Sequence, residues 1–461
     1  MNPPSQATLL ASARRIAPLA WPVFIGQVSV LAYSTVDTVL VARHSALDLA
    51  ALAVGAAAYT TTFVGFMGVV LAVGPLAGQL FGAGRLREAG HQFRQALWIA
   101  IGLSLLGSLL LALPGPFLAL AHASPAVAAK ARAYLGALAL SLPAALLFSA
   151  YRGFNVAVSR PKAVMGLQVA GLVLKVPLSA ALVVGVPALG IAPLGVLGCG
   201  IATCIVMWAQ VLAAYVVLRH DAFYRGFDLA GRAARAPDWR AITTQLRLGL
   251  PMGGAILVEV SGFTFMALFI ARLGTTPVAG HQIAVNLVSL LYMMPLAIAN
   301  GTTTLVAQRI GARDAADARR LGWHGVALGC AIAALMGGGL YAARETVVGL
   351  YTDDAAVMAA ALPLLAFVAL FHLADAAQTV AAFVLRAYRI TTVPLVINAV
   401  ALWGIGLGGG YLLVFGAGDG LPAAFQGARG FWSAATLGLV LTALALLGFM
   451  HAVLKRQRRG A

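Results

Sequence analysis

Apolar runs of about 20 residues recur along nearly the whole chain, and each is long enough to cross a ~30 Å hydrocarbon core as a helix. Inside lipid every backbone N–H and C=O must be satisfied by the chain itself, which leaves only helices or closed barrels. Barrel strands alternate in polarity over ~10 residues, whereas these runs are longer and continuous. The fold class read from them is therefore an all-α polytopic bundle. Its twelve spans are read as 16–42, 49–81, 93–118, 126–154, 163–186, 193–218, 246–271, 278–308, 322–343, 355–385, 393–416 and 430–454. Residues 16–36 follow Arg14 and Arg15 as a signal peptide would, but the apolar run continues to Val41, so they read as an uncleaved first helix.

Composition agrees, with 61% hydrophobic and only 10% charged residues, where soluble domains carry about a quarter charged. A net charge of +17 would suggest nucleic acid in a soluble protein, but its placement excludes that class here. The N-terminus, the even-to-odd loops and the C-terminus hold 24 of the 31 Lys and Arg. This is the positive-inside pattern, which puts both termini in the cytoplasm of a multi-pass inner-membrane protein. Cys199, Cys204 and Cys330 all fall within spans and read as small apolar residues, without disulfide or metal spacing.

The chain repeats itself. Gln79–Arg85 closes the second span and Gln308–Asp314 closes the eighth, 229 residues later. Trp21-Pro22 matches Leu250-Pro251, and Ala42-Arg43 matches Ala271-Arg272, at the same offset. Tyr151-Arg152-Gly153 and Leu385-Arg386-Ala387 are paired at an offset of 234. Six helices per half give both halves one orientation, hence a pseudo-two-fold axis along the membrane normal. The expected organisation is an N-terminal lobe over 1–218, a cytoplasmic linker over 219–245 (with Gly226, Gly231 and Pro237) and a C-terminal lobe over 246–461. Two-lobed carriers of this kind place substrate between the lobes and alternate access by rocking.

Three carboxylates fall within spans: Asp37, Glu259 and Asp375. A charge at the bilayer centre costs about 2.5–3.5 kcal/mol, so such groups face a cavity or a partner. Helical spacing groups Gln27 and Ser34 with Asp37, and His372, Gln378 and Thr379 with Asp375. Around Glu259 it brings Met252, Phe263 and Met266, soft and aromatic groups that suit an organic cation or a partly dehydrated metal cation. A carboxylate carrying a proton fits the same surroundings. Helix 8 adds Gln282, Asn286 and Ser289 on one stripe, with Tyr292 beside it, while His281 reads as a packing residue. The glycine runs 337–339 and 408–410 read as close helix contacts. Lys175, mid-span in helix 5, is expected either to pair with Asp37 or to carry a neutral amine.

These features together resemble the multidrug and toxic compound extrusion transporters, in their NorM-like bacterial branch. The resemblance rests on Val36-Asp37-Thr38, on Gly74–Gln79 with Gly82-Ala83-Gly84, on Glu259–Phe263, on Ala279–Ala284, and on Asp375 followed by Leu385–Tyr388. It implies a twelve-helix antiporter, not an enzyme, that exports amphipathic and often cationic drugs against Na+ or H+. It also implies that Glu259 and Asp375 form a transient Na+ or proton site, helped by Tyr292, Phe263 and Asn286. Gln282, Met252, Met266, Phe371, Asp353 and Asp354 are the implied substrate contacts, and Asp37 the functional acid of the first lobe. The family often has asparagine near that aspartate where this chain has Lys175 and Ser179, which favours coupling through Glu259 and Asp375. Oxygen donors from Tyr292, Asn286 and two carboxylates would make a shell for a hard cation such as Na+. No cofactor and no nucleic-acid partner are expected, and the chain is expected to act as a monomer in the bilayer.

Three other functions are compatible with a polytopic helical chain. A flippase or metabolite exporter of a related superfamily would carry basic cavity residues, and the intramembrane charges here are mainly acidic. A major-facilitator carrier has a cytoplasmic loop that Gln79–Arg85 loosely resembles. A membrane acyl- or glycosyltransferase would show a His or Asp cluster at the interface, and none is present in the sequence.

Overall fold

The computed structural model describes residues 8–187, 190, 192–229, 236–416, 422 and 425–459. Among them twelve helices are long and apolar enough to span a membrane. These are α1 (Leu9–His44), α2 (Ala46–Gly82), α3 (Leu86–Ala112), α4 (Pro125–Ala157), α5 (Pro161–Val184) and α6 (Val196–His220). Then follow α7 (Trp239–Ala271), α8 (Thr275–Gly311), α9 (Ala315–Ala342), α10 (Ala355–Ala387), α11 (Thr392–Gly416) and α12 (Gly427–Gln457). All twelve expected spans are present. The third ends earlier than the expected 118, because Pro114 breaks it and a separate turn of helix, Gly115–Leu120, follows.

Side-chain caps fix several helix starts, since the first backbone N–H groups of a helix have no partner within it. Ser45 caps α2, Ser124 caps α4 with Pro125 as first helical residue, Asp314 caps α9 and Asp354 caps α10. The repeat reappears in the turns. Gly84 after α2 and Arg313 after α8 both have positive φ, 73° and 60°, at the offset of 229. Arg313 bears a strain there of about 1 kcal/mol that Gly84 avoids.

The chain folds into two compact units, Ile25–Gly253 and Met1–Phe24 with Gly254–Ala461. The unit limits therefore differ from the lobe limits expected at 218 and 246. They fall within α1 and α7, just after Pro22 and Pro251 and again 229 residues apart. Within the first unit, the start of α7 lies so close to α2 that a side chain at Gly249 or Gly253 would strike the carbonyls of Val69 and Gly65. Within the other unit, a side chain at Gly301 of α8 would meet Ile16 and Ala20 of α1 at 3.2–3.4 Å. The described ends of the linker dock on the first unit. Tyr224 donates to Asn155 at 2.5 Å, Phe227 stacks on Phe81, and Asp221 pairs with Arg160. At the far end, a hydrogen bond from His91 holds the Asp238 carboxyl below the usual carboxylate range. Gly231 lies outside the described residues.

Asp317, at the start of α9, fastens the start of α1. Arg15 donates to both of its oxygens at 3.1 and 2.8 Å, and Arg309 and Arg320 each reach it at 3.0 Å. Its side chain is only 7% exposed, while the arginines are 32–43% exposed. Asp317→Ala is expected to destabilise the protein by about 2 kcal/mol, less than a fully buried pair would lose because water screens the arginines. Thermal unfolding in detergent measures this, and an unchanged midpoint would show that the network contributes no stability.

The glycine runs divide. Gly337 packs on Ala369 and Gly410 on Phe431, as close contacts should, but Gly338, Gly339 and Gly409 have nothing within 4 Å of a notional side chain. Those three were expected at helix contacts and instead lie on open faces.

Candidate functional site

In the unit that contains Gly254–Ala461, two carboxylates lie well inside spans, Glu259 on α7 and Asp375 on α10, whereas Asp317 sits in the first turn of α9. Asp375 is 3% exposed, and its Oδ1 accepts from Gln378 Nε2 at 3.0 Å and from Thr379 Oγ1 at 3.4 Å. All three sit on the predicted stripe of α10. Glu259 on α7 lies within electrostatic range of Asp375, and Tyr292 of α8 lies within range of both acids. Thus side chains 116 positions apart in sequence, from three helices, surround one acidic interior.

One member was missed in the sequence. Arg386, at the end of α10, is within electrostatic range of Glu259 and Tyr292 and lies over the Phe383 ring at 4.1 Å. It counted there as a cytoplasmic loop charge. It lies one residue beyond the expected span 355–385, and the helix runs on to Ala387 and takes it in.

Behind the acids lies an aromatic wall. Phe263 meets Phe371 edge-on at 5.8 Å, and Phe371 meets Trp432 at 5.8 Å. Trp432 Nε1 donates to Nδ1 of the buried His281 at 3.2 Å, so His281 is a packing residue as expected. Met266 is 4% exposed in the same core. Both it and Phe371 support Phe263 from behind.

Other predicted contacts lie elsewhere. Asn286 accepts a hydrogen bond from Tyr351 at 2.7 Å, on a different face of α8 from Tyr292, so it belongs to the loop before α10 and not to the acid cluster. Asp354 is committed to capping α10 through Ala356 N and Val357 N, whereas Asp353 and Gln282 are exposed. Met252, expected beside Glu259, packs with Ala72, Leu76 and Leu248 in the other unit.

In the Ile25–Gly253 unit, Lys175 Nζ donates to Asp37 Oδ2 at 2.9 Å, to Thr203 Oγ1 at 2.7 Å and to the Cys199 carbonyl at 3.2 Å. Ser179 Oγ donates to the other Asp37 oxygen at 3.1 Å. Lys175 and Ser179 are 0% exposed and Asp37 is 6% exposed. An ammonium has three donors, and all three are used. Of the two states open to Lys175, this geometry is that of an ion pair. Thr203 and Cys199 of α6 were not foreseen, because nothing in the spacing of α5 tells which helix lies opposite.

A family model described as MatE matches residues 22–181 and 251–412, two copies that begin 229 residues apart. The chain belongs to the MatE family. Its members are transporters, not enzymes. This MatE chain is 40% identical to a probable multidrug resistance protein NorM of Aromatoleum aromaticum, over 96% of this chain and 95% of that one. It is 35% identical to the multidrug resistance protein PmpM of Pseudomonas aeruginosa, over 95% and 90%. In fold it matches the eukaryotic MATE transporter AtDTX14 with a TM-score of 0.87 at 20% identity, covering 98% of each chain. A transporter of the MOP superfamily from Pyrococcus furiosus matches with a TM-score of 0.86 at 16% identity, covering 99% and 100%. Twelve apolar helices and these bacterial relatives make the protein a multi-pass protein of the bacterial inner membrane.

Proposed function

We propose that this MatE protein is a secondary antiporter that exports amphipathic, often cationic, drug-like molecules in exchange for Na+ bound at Glu259 and Asp375. The observation that carries the reading is the joint placement of those two acids, with Tyr292, Thr379 and Gln378, in one unit. Hydroxyl, amide and carboxylate oxygens are the donors a hard cation takes, and Thr379 and Gln378 supply what Asn286 does not. The names of the relatives, multidrug resistance proteins NorM and PmpM, support the cargo. Asp37, already neutralised by Lys175, is left without a vacancy for a second cation.

Exchange follows from linkage: cation entering from outside lowers drug affinity, and drug lowers cation affinity by the same factor. Gln282 and Asp353, exposed in the same unit, are proposed to meet the drug. The chain works as a monomer with both termini in the cytoplasm.

The test uses the purified protein in liposomes loaded with ethidium. An inward Na+ gradient at equal pH should drive efflux, and Na+-free buffers should stop it. Efflux driven by a pH gradient alone, without Na+, would replace Na+ by the proton. Efflux under neither gradient would sink the antiport reading.

A further inference from the structure

Over Ala399–Gly408 and again over Leu412–Gly416, α11 is wound as a π-helix, with Gly409–Tyr411 as an α-helical turn between them. Such i→i+5 winding is rare, occurs mostly as single turns and gathers at functional sites. The first π segment lies tightly against α12. A side chain at Gly438 of α12 would strike the Ala401 carbonyl, and one at Gly406 would press on the Ala435 backbone at 3.4 Å. From the same segment Trp403 reaches α7, in the same unit.

An indole N–H in hydrocarbon needs an acceptor, because an unpaired one loses its hydration for nothing in return. Trp403 lies midway along α11, and its Nε1 donates to the Val258 carbonyl at 3.0 Å. Phe265, two turns further along α7, meets the indole edge-on at 5.5 Å. Val258 immediately precedes Glu259. The same carbonyl accepts from Ser261 Oγ at 3.2 Å, and Ser261 donates to the Leu257 carbonyl as well. Serine back-bonding of this kind slightly weakens a helix and often bends it. The turn of α7 that carries the acid is therefore soft, and a donor from a neighbouring helix sets its direction.

We propose that Trp403 is a positioning residue for Glu259: its indole N–H, carried on the π-helical turn of α11, holds the α7 backbone so that the carboxylate stays beside Asp375 and Tyr292. This role rests on the reading of Glu259 and Asp375 as a cation site, but its test does not depend on transport. An acid held in place beforehand loses less freedom when the cation arrives, so the bond acts on cation affinity.

The measurement is equilibrium binding of radioactive Na+ to the purified full chain, with ethidium binding in Na+-free buffer as a second readout. Trp403→Phe keeps a ring and removes the N–H. Because Trp403 is 41% exposed, the smaller ring leaves no sealed cavity and the variant should fold. It should weaken Na+ binding about fivefold, the effect of one lost hydrogen bond, and change ethidium binding by less than about twofold. Trp403→His packs less ring but carries a ring N–H the same number of bonds from the backbone, and should recover about half of the loss. Unchanged Na+ affinity in Trp403→Phe would overturn the proposal. So would a histidine variant weaker than the phenylalanine one, since packing and not the donor would then be at work. Efflux from liposomes separates the two readings. Na+ binding that depends on Trp403, without gradient-driven efflux by the wild type, leaves this inference standing and removes the antiport. Na+-driven efflux with one Na+ affinity in wild type and Trp403→Phe does the reverse.

Discussion

Glu259→Gln should lower cation-driven efflux by about a hundredfold while the protein still folds and reaches the membrane. A neutral amide keeps the shape of the side chain but offers no charge to an entering cation, and interactions with a charged group contribute roughly 1.5–3 kcal/mol. The upper figure corresponds to about two powers of ten in affinity. Loss of Glu259 also leaves Arg386 without its carboxylate, so the variant tests the acid interior as a whole. Asp375→Asn should have an effect of the same order through the same loss of charge, since an Asn carbonyl can still accept from Gln378 and Thr379, which both donate to Oδ1. Initial rates of ethidium efflux, at matched protein density and after a check of thermal unfolding, make the comparison. A wild-type rate in either variant would remove that acid from the coupling site.

Lys175→Met should be the most destabilising single change in the other unit. It leaves Asp37 as a buried carboxylate with only Ser179 donating to it, and breaking one side of a buried pair costs about 3–5 kcal/mol. Adding Asp37→Asn should recover most of the loss, since the double variant buries no net charge. The test is the thermal midpoint of both variants together with their efflux. Equal midpoints for wild type and Lys175→Met would mean that the pair contributes nothing. A double variant no better than the single one would mean that Lys175 acts through Thr203 and Cys199 instead.

Much of this was readable in the sequence, for identifiable reasons. The helices and the repeat follow from long apolar runs and from dissimilar landmarks held at one offset. The Asp37–Lys175 pair followed from the cost of a lone charge in lipid, which needs no knowledge of which helices are neighbours. What failed was the inference from a stripe on one helix to what the stripe faces. Met252 shares a stripe with Glu259, but α7 passes from one unit to the other between Gly253 and Gly254, so the two residues belong to different surroundings. Asn286 and Tyr292 are close in sequence yet point from different faces of α8. Asp354 stands directly before an apolar helix, the place of a capping residue, and that local signal outweighed its acidity. Arg152 and Arg386 were counted as loop charges because both lie near helix ends.

The placement of the unit limits inside α1 and α7 has one further consequence. A cut anywhere in the linker would give two fragments, each carrying the opening turns of a helix that packs into the body formed mainly by the other. Such fragments are interlocked in the manner of domain-swapped partners. Association of two such fragments in the bilayer would therefore not depend on the covalent tether alone.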